Sequence, residues 1–349
     1  MTYNLNPYKE ISFKYESIYT EKLIEFLLYL NKFKETSKDY EVLFTYNDYL
    51  NLESDFYLYP RPNVMECIYC KRNDSQVTFN TRPHVIPEFL GNKHLLHYPE
   101  CDSCNQKFGR TLEDAFNKYT SFFRTMHGIK NKKGKVSQYQ NIHNTLNISF
   151  NKQTSTFDVK GDNLDFDFID DENGNITINI EMQKHTKSNI YKLFMKIFYS
   201  LLPIQHRENF KEMRDWINTN NSSDYLIKPA TVLLSFVNGM GLNRPYIVIV
   251  AKKNILNTDH SLLIDNPEYE YMAILSCGNL IFEMPLTSDL SLEKFRKFKK
   301  GDKPVNFNFL RIPTFSIPIA HWLLDFSNHE AEVDRMTVYA KYTERDKRI

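Results

Sequence analysis

Apolar residues recur along this chain in two rhythms, and the switch between them divides it. Near the start, Leu23, Phe26, Leu27 and Leu30 fall three and four apart, which predicts a helix over 18–33. The rest of 1–60 is rich in Tyr and Phe and reads as a packing extension, broken at Pro60-Arg61-Pro62. Val77-Thr78-Phe79-Asn80-Thr81 alternates, predicting a strand that leads into His84. Phe108, Leu112, Phe116, Tyr119, Phe123 and Met126 then repeat at three and four, predicting an amphipathic helix that starts near Asn105. Beyond this helix the period shortens to two. Strands are predicted over 146–150, 166–168 and 176–180, the last entered through a Glu172-Asn173-Gly174-Asn175 turn. Helices over 188–202 and 208–218 follow, separated where Leu202-Pro203 forces a break. Strands resume over 231–237, 246–251, 271–275 and 280–283, the final pair joined across Cys277-Gly278-Asn279.

This pattern predicts an α+β chain whose C-terminal part holds a mostly antiparallel sheet. Three regions are expected: a helical, aromatic-rich extension over 1–62, a motif-bearing unit over 63–140, and an α+β domain over 141–349. A formal net charge of +1 excludes a surface coated in basic groups and leaves room only for a local basic groove. Residues 1–6 lack a charged segment followed by an apolar one, and no run reaches the roughly twenty apolar residues of a membrane helix. The expectation is a cytoplasmic protein with no membrane partner, in which clustered cysteines signify metal rather than disulfides. No internal repeat, phosphate-cradling glycine loop or Ser/His/Asp arrangement stands out.

The cysteines then change the picture. Cys67-Ile68-Tyr69-Cys70 and Cys101-Asp102-Ser103-Cys104 are two C-x-x-C pairs, which supply the four thiolates of a closed tetrahedral zinc site. Cys277 stands alone in an apolar segment and reads as a small core residue. Between the pairs lies His84-Val85-Ile86-Pro87, then Leu90-Gly91-Asn92, and the second pair runs directly into Asn105-Gln106-Lys107-Phe108-Gly109. Two knuckles, a hairpin and a helix make a zinc-stapled ββα unit. His84 has a plain reading as a hydrogen-bonded structural histidine, and Asn105 one as a helix N-cap. His94 and His97 read as polar surface or supporting residues. Lys130, Lys132, Lys133 and Lys135 around Gly134 form either a solvated turn or a phosphate-contacting loop, as do Lys294, Arg296, Lys297, Lys299 and Lys300.

These motifs resemble the HNH endonuclease family, in the subgroup with C-x-x-C, then H-x-I-P-x-x-L-G-N, then E-C-D-x-C-N-x-x-F-G. The matching residues are Cys67 and Cys70, His84 to Asn92, and Glu100 to Gly109. The resemblance implies a ββα-metal fold in which His84 is the general base against a DNA phosphodiester. It implies that Asn105 ligates a catalytic Mg²⁺ or Mn²⁺ ion, and that Cys67, Cys70, Cys101 and Cys104 hold a separate structural Zn²⁺. One departure stands out: where many family members carry an acidic metal ligand before the histidine, this chain has Pro83. Glu88, Glu100, Asp102 and Glu113 are the nearby carboxylates that could replace it. Asn92 or His94 could be the residue that orients the histidine. A nuclease domain beside an added α+β domain also resembles bacterial antiviral defence effectors, in which the added part answers a ligand, a partner protein or homo-oligomerisation. The alternative is a catalytically inactive, zinc-containing nucleic-acid-binding or assembly protein.

Overall fold

The computed structural model describes residues 9–14, 39–47, 56–58, 62–97, 99–131, 133–151, 153, 156–161, 166–170, 175–219, 226–237, 242–259, 263–264, 268–300, 319–341 and 344–345. The helix expected over 18–33 lies outside the described residues.

A six-stranded antiparallel sheet forms the centre. Its order is Ile319–Asp325, Thr231–Val237, Leu280–Pro285, Tyr271–Gly278, Leu242–Lys252 and Tyr40–Asn47. Every residue of the two middle strands, Tyr271–Gly278 and Leu280–Pro285, is buried, so neighbouring elements cover both faces of the sheet there. Their hairpin turns at Gly278, whose φ of +62° favours glycine. A Cβ at that position would stand 2.7 Å from the His127 ring, so the turn also needs the missing side chain for space. Cys277 is fully buried in this hairpin, as its apolar surroundings imply.

The sheet draws on both ends of the chain. Tyr40–Asn47, from the N-terminal region, pairs along one edge with Leu242–Lys252, while Ile319–Asp325 closes the other. Two smaller antiparallel sheets accompany it. One runs in the order Glu344–Arg345, Lys9–Lys14, Thr156–Gly161, Asn147–Asn151 and Tyr139–Gln140; the other runs Arg335–Lys341, Asn175–Glu181 and Phe166–Asp170. The architecture is α+β and mostly antiparallel.

The helix Lys187–Leu201, here called the central helix, is buried at every position from Ile190 to Leu201. It ends where Leu202 turns extended before Pro203, and Ile204–Arg207 and Lys211–Asn218 continue beyond the break. The motif helix spans 102–119 as Asp102–Phe108, a π turn at Gly109–Glu113, and Asp114–Tyr119; Ser121–Met126 follows it. Its apolar stripe is core. The Phe116 ring lies 5.0 Å from Phe194 of the central helix and 5.5 Å from Phe282 of the large sheet, both edge-on. Tyr119 meets Phe326 at 6.0 Å. Each such buried ring stabilises the packing by about 1.5–3 kcal/mol, so the motif helix is seated on the rest of the molecule and not displayed from it.

Three features differ from the sequence expectations. Residues 77–81 form no strand. Asp289–Lys300, anticipated only as a run of basic residues, is a helix with Leu292 and Lys294 buried. Tyr40–Asn47, Ile319–Asp325 and Arg335–Lys341 are additional strands. Among the described residues no helix is long and apolar enough to cross a membrane.

Candidate functional site

Cys67 and Cys70 sit on a tight knuckle. Cys67 N–H donates to the Arg72 carbonyl, and Lys71 N–H donates back to the Cys67 carbonyl, both at 2.9 Å. Lys71 adopts a left-handed φ of +60°, which turns the chain sharply enough to aim both sulfurs one way. Ile68 N–H bonds the Pro99 carbonyl at 2.8 Å and ties this knuckle to the second. There Cys101 is the N-cap of the motif helix and Cys104 lies in its first turn. All four sulfurs fall within 4.8 Å of one another, with Cys70 and Cys101 at 3.7 Å. Zinc–sulfur bonds of about 2.3 Å in a tetrahedron place sulfurs about 3.8 Å apart, so the donor set and its spacing fit zinc. A hydrogen bond from Cys104 draws the Cys67 thiol down to about 5, against the opposing effect of burial. Arg72 Nε stands 3.4 Å from Cys70 Sγ and adds positive charge to a site that gathers thiolates.

His84 is placed by a short antiparallel ladder. It pairs with Leu96, Val85 N–H donates to the Leu95 carbonyl at 3.2 Å, and His97 N–H donates to the Pro83 carbonyl at 2.9 Å. The loop that joins the two sides carries the 3₁₀ turn Glu88–Leu90 and closes at Gly91, with φ +96°. Asn92 clasps this loop from inside. Its Nδ2 donates to the Ile86 carbonyl at 2.7 Å and the Leu95 carbonyl at 3.1 Å. Its Oδ1 accepts Leu95 N–H at 3.0 Å and the Tyr46 hydroxyl at 3.2 Å. Those four bonds saturate a buried amide. His84 itself is half-buried, with 19% of its side chain exposed. Its Nε2 lies 3.4 Å from the Lys93 carbonyl and 3.7 Å from Glu88 Oε1. A carbonyl only accepts, so in the tautomer that donates to Lys93 the proton is on Nε2 and the ring's lone pair on Nδ1.

The helix side of the site is anchored by Asp102. Its carboxylate accepts Thr78 Oγ1 at 2.5 Å, Asn80 N–H at 3.0 Å, Thr81 N–H at 2.8 Å and Thr81 Oγ1 at 2.6 Å. Burial alone would raise this carboxyl, but the donated hydrogen bonds from Thr78, Thr81 and Asn80 hold it well below the usual range. These bonds also explain why 77–81 is no strand: its donors wrap around Asp102, and the Thr78 carbonyl accepts Asp102 N–H at 2.9 Å. Asn105 lies one turn further along, so it is not the helix cap; Cys101 holds that position. Asn105 Nδ2 donates to Thr81 Oγ1 at 3.4 Å, which leaves its Oδ1 as the remaining acceptor.

Behind the zinc frame lies a buried charge cluster. Glu100, the residue before Cys101, is 3.2 Å from Lys196 of the central helix, and both side chains are essentially inaccessible. Glu113 of the motif helix is 4.0 Å from the same ammonium. Lys196 Nζ also lies over the Tyr69 and Phe108 rings at 5.9 and 5.8 Å, and the Tyr69 hydroxyl donates to the Lys196 carbonyl at 3.2 Å. Burial pushes the Glu100 carboxyl up to about 7, with Lys196 pulling the other way. Burial likewise raises Glu113. His97 is buried beside this cluster, and among the described residues neither ring nitrogen has a hydrogen-bond partner. Burial, reinforced by Arg207 and Lys196, holds that imidazole neutral, well below its ordinary value.

Residues 67–121 match the family described as HNH endonuclease. This segment is an HNH endonuclease domain. No curated protein and no solved structure matches the chain.

Within the HNH domain the four predicted cysteines converge on one point. His84 stands on the ladder and Asn105 on the helix, linked through Thr81, which bonds Asn105 and Asp102 three residues ahead of His84. Of the carboxylates near the position that Pro83 leaves without an oxygen, Asp102 is committed to 78–81 and Glu100 to Lys196. Glu113 faces Lys196, and Glu88 faces His84. Lys294 is buried against Glu270, so it is not an open phosphate contact, whereas Arg296 pairs with Glu212 at the surface. Sequence reasoning missed Lys196 and Tyr46. Neither carries a local signal, because each reaches the HNH domain from a distant segment.

Proposed function

We propose that this chain is a metal-dependent HNH endonuclease that hydrolyses DNA phosphodiester bonds at His84. The observation that carries the reading is the placement of His84. Within the matched segment it is held by a backbone ladder, and with Nε2 donating to the Lys93 carbonyl its lone pair would stand at Nδ1. Such a group accepts a proton from water. The water oxygen then bonds to phosphorus as the bond to the leaving oxygen breaks, and that oxygen takes a proton from solvent. A bound Mg²⁺ or Mn²⁺ ion supplies neutralisation of the phosphate charge. Asn105 Oδ1 is the oxygen of this chain that fits such an ion, since Nδ2 is engaged with Thr81. With Pro83 silent, phosphate and water oxygens would complete the shell, an arrangement Mg²⁺ commonly accepts. Zinc held by Cys67, Cys70, Cys101 and Cys104 would pin the 67–70 knuckle to the start of the helix that carries Asn105.

The test is supercoiled plasmid incubated with and without Mg²⁺ or Mn²⁺, beside His84→Ala protein of equal zinc content. Ion-dependent cleavage that falls at least about 100-fold in the variant is the expected outcome, in the range general bases contribute. Pro83 favours one second reading, a catalytically inactive zinc-containing nucleic-acid-binding or assembly protein. That reading gains if DNA binds in a salt-dependent manner and divalent ions leave it uncut. A role as a gated defence effector, answering a ligand, a partner protein or self-assembly, draws on a cavity of about 550 Å³ in the C-terminal part. Glu212, Glu270, Tyr271, Asp289 and Arg296 are among the residues that line it. An enzyme fully active as a purified monomer would remove the gating part of this reading.

A further inference from the structure

On sequence grounds, either Asn92 or His94 could orient His84. The structure commits Asn92 entirely to the backbone of Ile86 and Leu95 and to the Tyr46 hydroxyl. Two acceptors instead face the His84 Nε2–H: the Lys93 carbonyl at 3.4 Å and Glu88 Oε1 at 3.7 Å. Both come from the same closed loop, and Asn92 and Gly91 fix its shape. Glu88 begins the 3₁₀ turn, one residue after Pro87, so its backbone is held while its side chain reaches back four residues to the histidine.

We propose that Glu88 is the positioning carboxylate of His84, holding the Nε2–H with the Lys93 carbonyl and keeping the lone pair on Nδ1. The inference rests on the endonuclease reading for its consequence, though its geometry stands apart from it. A carboxylate on the protonated side of an imidazole fixes the ring and its tautomer, and it stabilises the imidazolium that forms when the other nitrogen takes a proton. Glu88 therefore touches no substrate; it acts through His84. The remaining charges around the pair come from three elements. Arg82 and Lys93 flank it on its own segment, Glu113 answers Glu88 from the motif helix, and Lys196 of the central helix stands behind Glu113. Burial raises the Glu113 carboxyl against the pull of Lys196, and the Glu88 charge adds to the rise; Lys196 is turned toward Glu113 and Glu100, while Glu88 Oε1 is the carboxylate oxygen 3.7 Å from His84 Nε2.

The experiment compares the zinc-loaded full chain with Glu88→Gln, which keeps size and backbone. Imidazole ¹⁵N resonances report the His84 titration and tautomer, Mn²⁺ titration with DNA reports ion affinity, and a pH–rate profile of cleavage reports function. With the carboxylate gone, the His84 titration should move to lower pH, and the acid limb of the profile should move down with it. The cleavage plateau should drop about 10-fold or more, the scale typical of supporting residues around a site, with Mn²⁺ affinity and zinc content unchanged. An unchanged His84 titration and tautomer overturns the proposal. So does a loss of Mn²⁺ affinity at unchanged His84 titration, which would make Glu88 a metal ligand instead. Should the wild type cut no DNA while its His84 titration still responds to Glu88→Gln, the endonuclease reading fails and the positioning role stands.

Discussion

At the scale of single residues, the site depends on polar side chains that are completely spent. Asn92 spans the two sides of the His84 loop, and each of its four hydrogen-bonding positions meets a partner inside the molecule. Replacing it with alanine would strand the Ile86 carbonyl and the Leu95 N–H in a buried place. Unsatisfied buried groups cost about 1–3 kcal/mol each; with partial relaxation, Asn92→Ala should lower unfolding free energy by roughly 3 kcal/mol. Denaturant midpoints of the zinc-loaded protein measure this, and a loss under about 1 kcal/mol would show that the loop closes without the amide. Asp102 works similarly on the helix side, but its donors sit at the surface, where water can replace them. The contrast explains why two polar residues of the same motif should differ in what their loss does. The buried clasp governs stability, while the exposed one governs where Thr81 and Asn105 point.

At the scale of elements, the central helix and the HNH domain are joined by a buried charge. Lys196 sits 3.2 Å from Glu100, and both are out of contact with water. Removing one partner of such a pair leaves the other buried and uncompensated, at a cost of about 3–5 kcal/mol. Lys196→Met should therefore destabilise by that amount, whereas adding Glu100→Gln to the same protein should restore a large part of it. If thermal or denaturant unfolding shows the two losses simply adding, the pair is not coupled. This contact also marks where sequence reading stops. Local signals served well: the spacing of the cysteines, the helical stripe from Phe108 to Tyr119, and the strand over Thr231–Val237, whose bounds the structure reproduces end to end. The failures share a cause. Residues 77–81 have strand chemistry, but their donors are claimed by Asp102, more than twenty positions away. Tyr40–Asn47 reads as an aromatic leader until its partner, Leu242–Lys252, is known. Lys196 looks like any lysine in an amphipathic stretch, and only the tertiary structure shows it inside. The pairing of Glu88 with His84 was likewise invisible, because a spacing of four carries meaning only where the turn that produces it is known.

At the scale of the whole molecule, the HNH domain is inserted into one body and not strung between independent parts. Chain from before it, Tyr40–Asn47, and chain from after it, Leu242–Lys252, lie side by side in the large sheet. The strand at Phe56–Tyr57 pairs in parallel with Leu95–Leu96 of the HNH domain itself. From this body come the Tyr46 hydroxyl on Asn92, Lys196 on Glu100, and the rings of Phe194, Phe282 and Phe326 against Phe116 and Tyr119. A fragment of 63–140 would keep the four cysteines and lose every one of those partners. Zinc gives small domains a large share of their folding free energy, so the fragment should still bind the ion. The apolar face of the motif helix, however, would open to water, and Glu100 would be released from Lys196. The expected result is a zinc-binding fragment with poorly dispersed amide resonances and no cooperative melting transition. In the full chain, zinc release and loss of the large sheet should coincide in one transition. A fragment that melts cooperatively with dispersed resonances would show that the zinc frame folds alone. The surrounding body would then only cover it, and His84 would have to owe its placement to the ladder and loop by themselves.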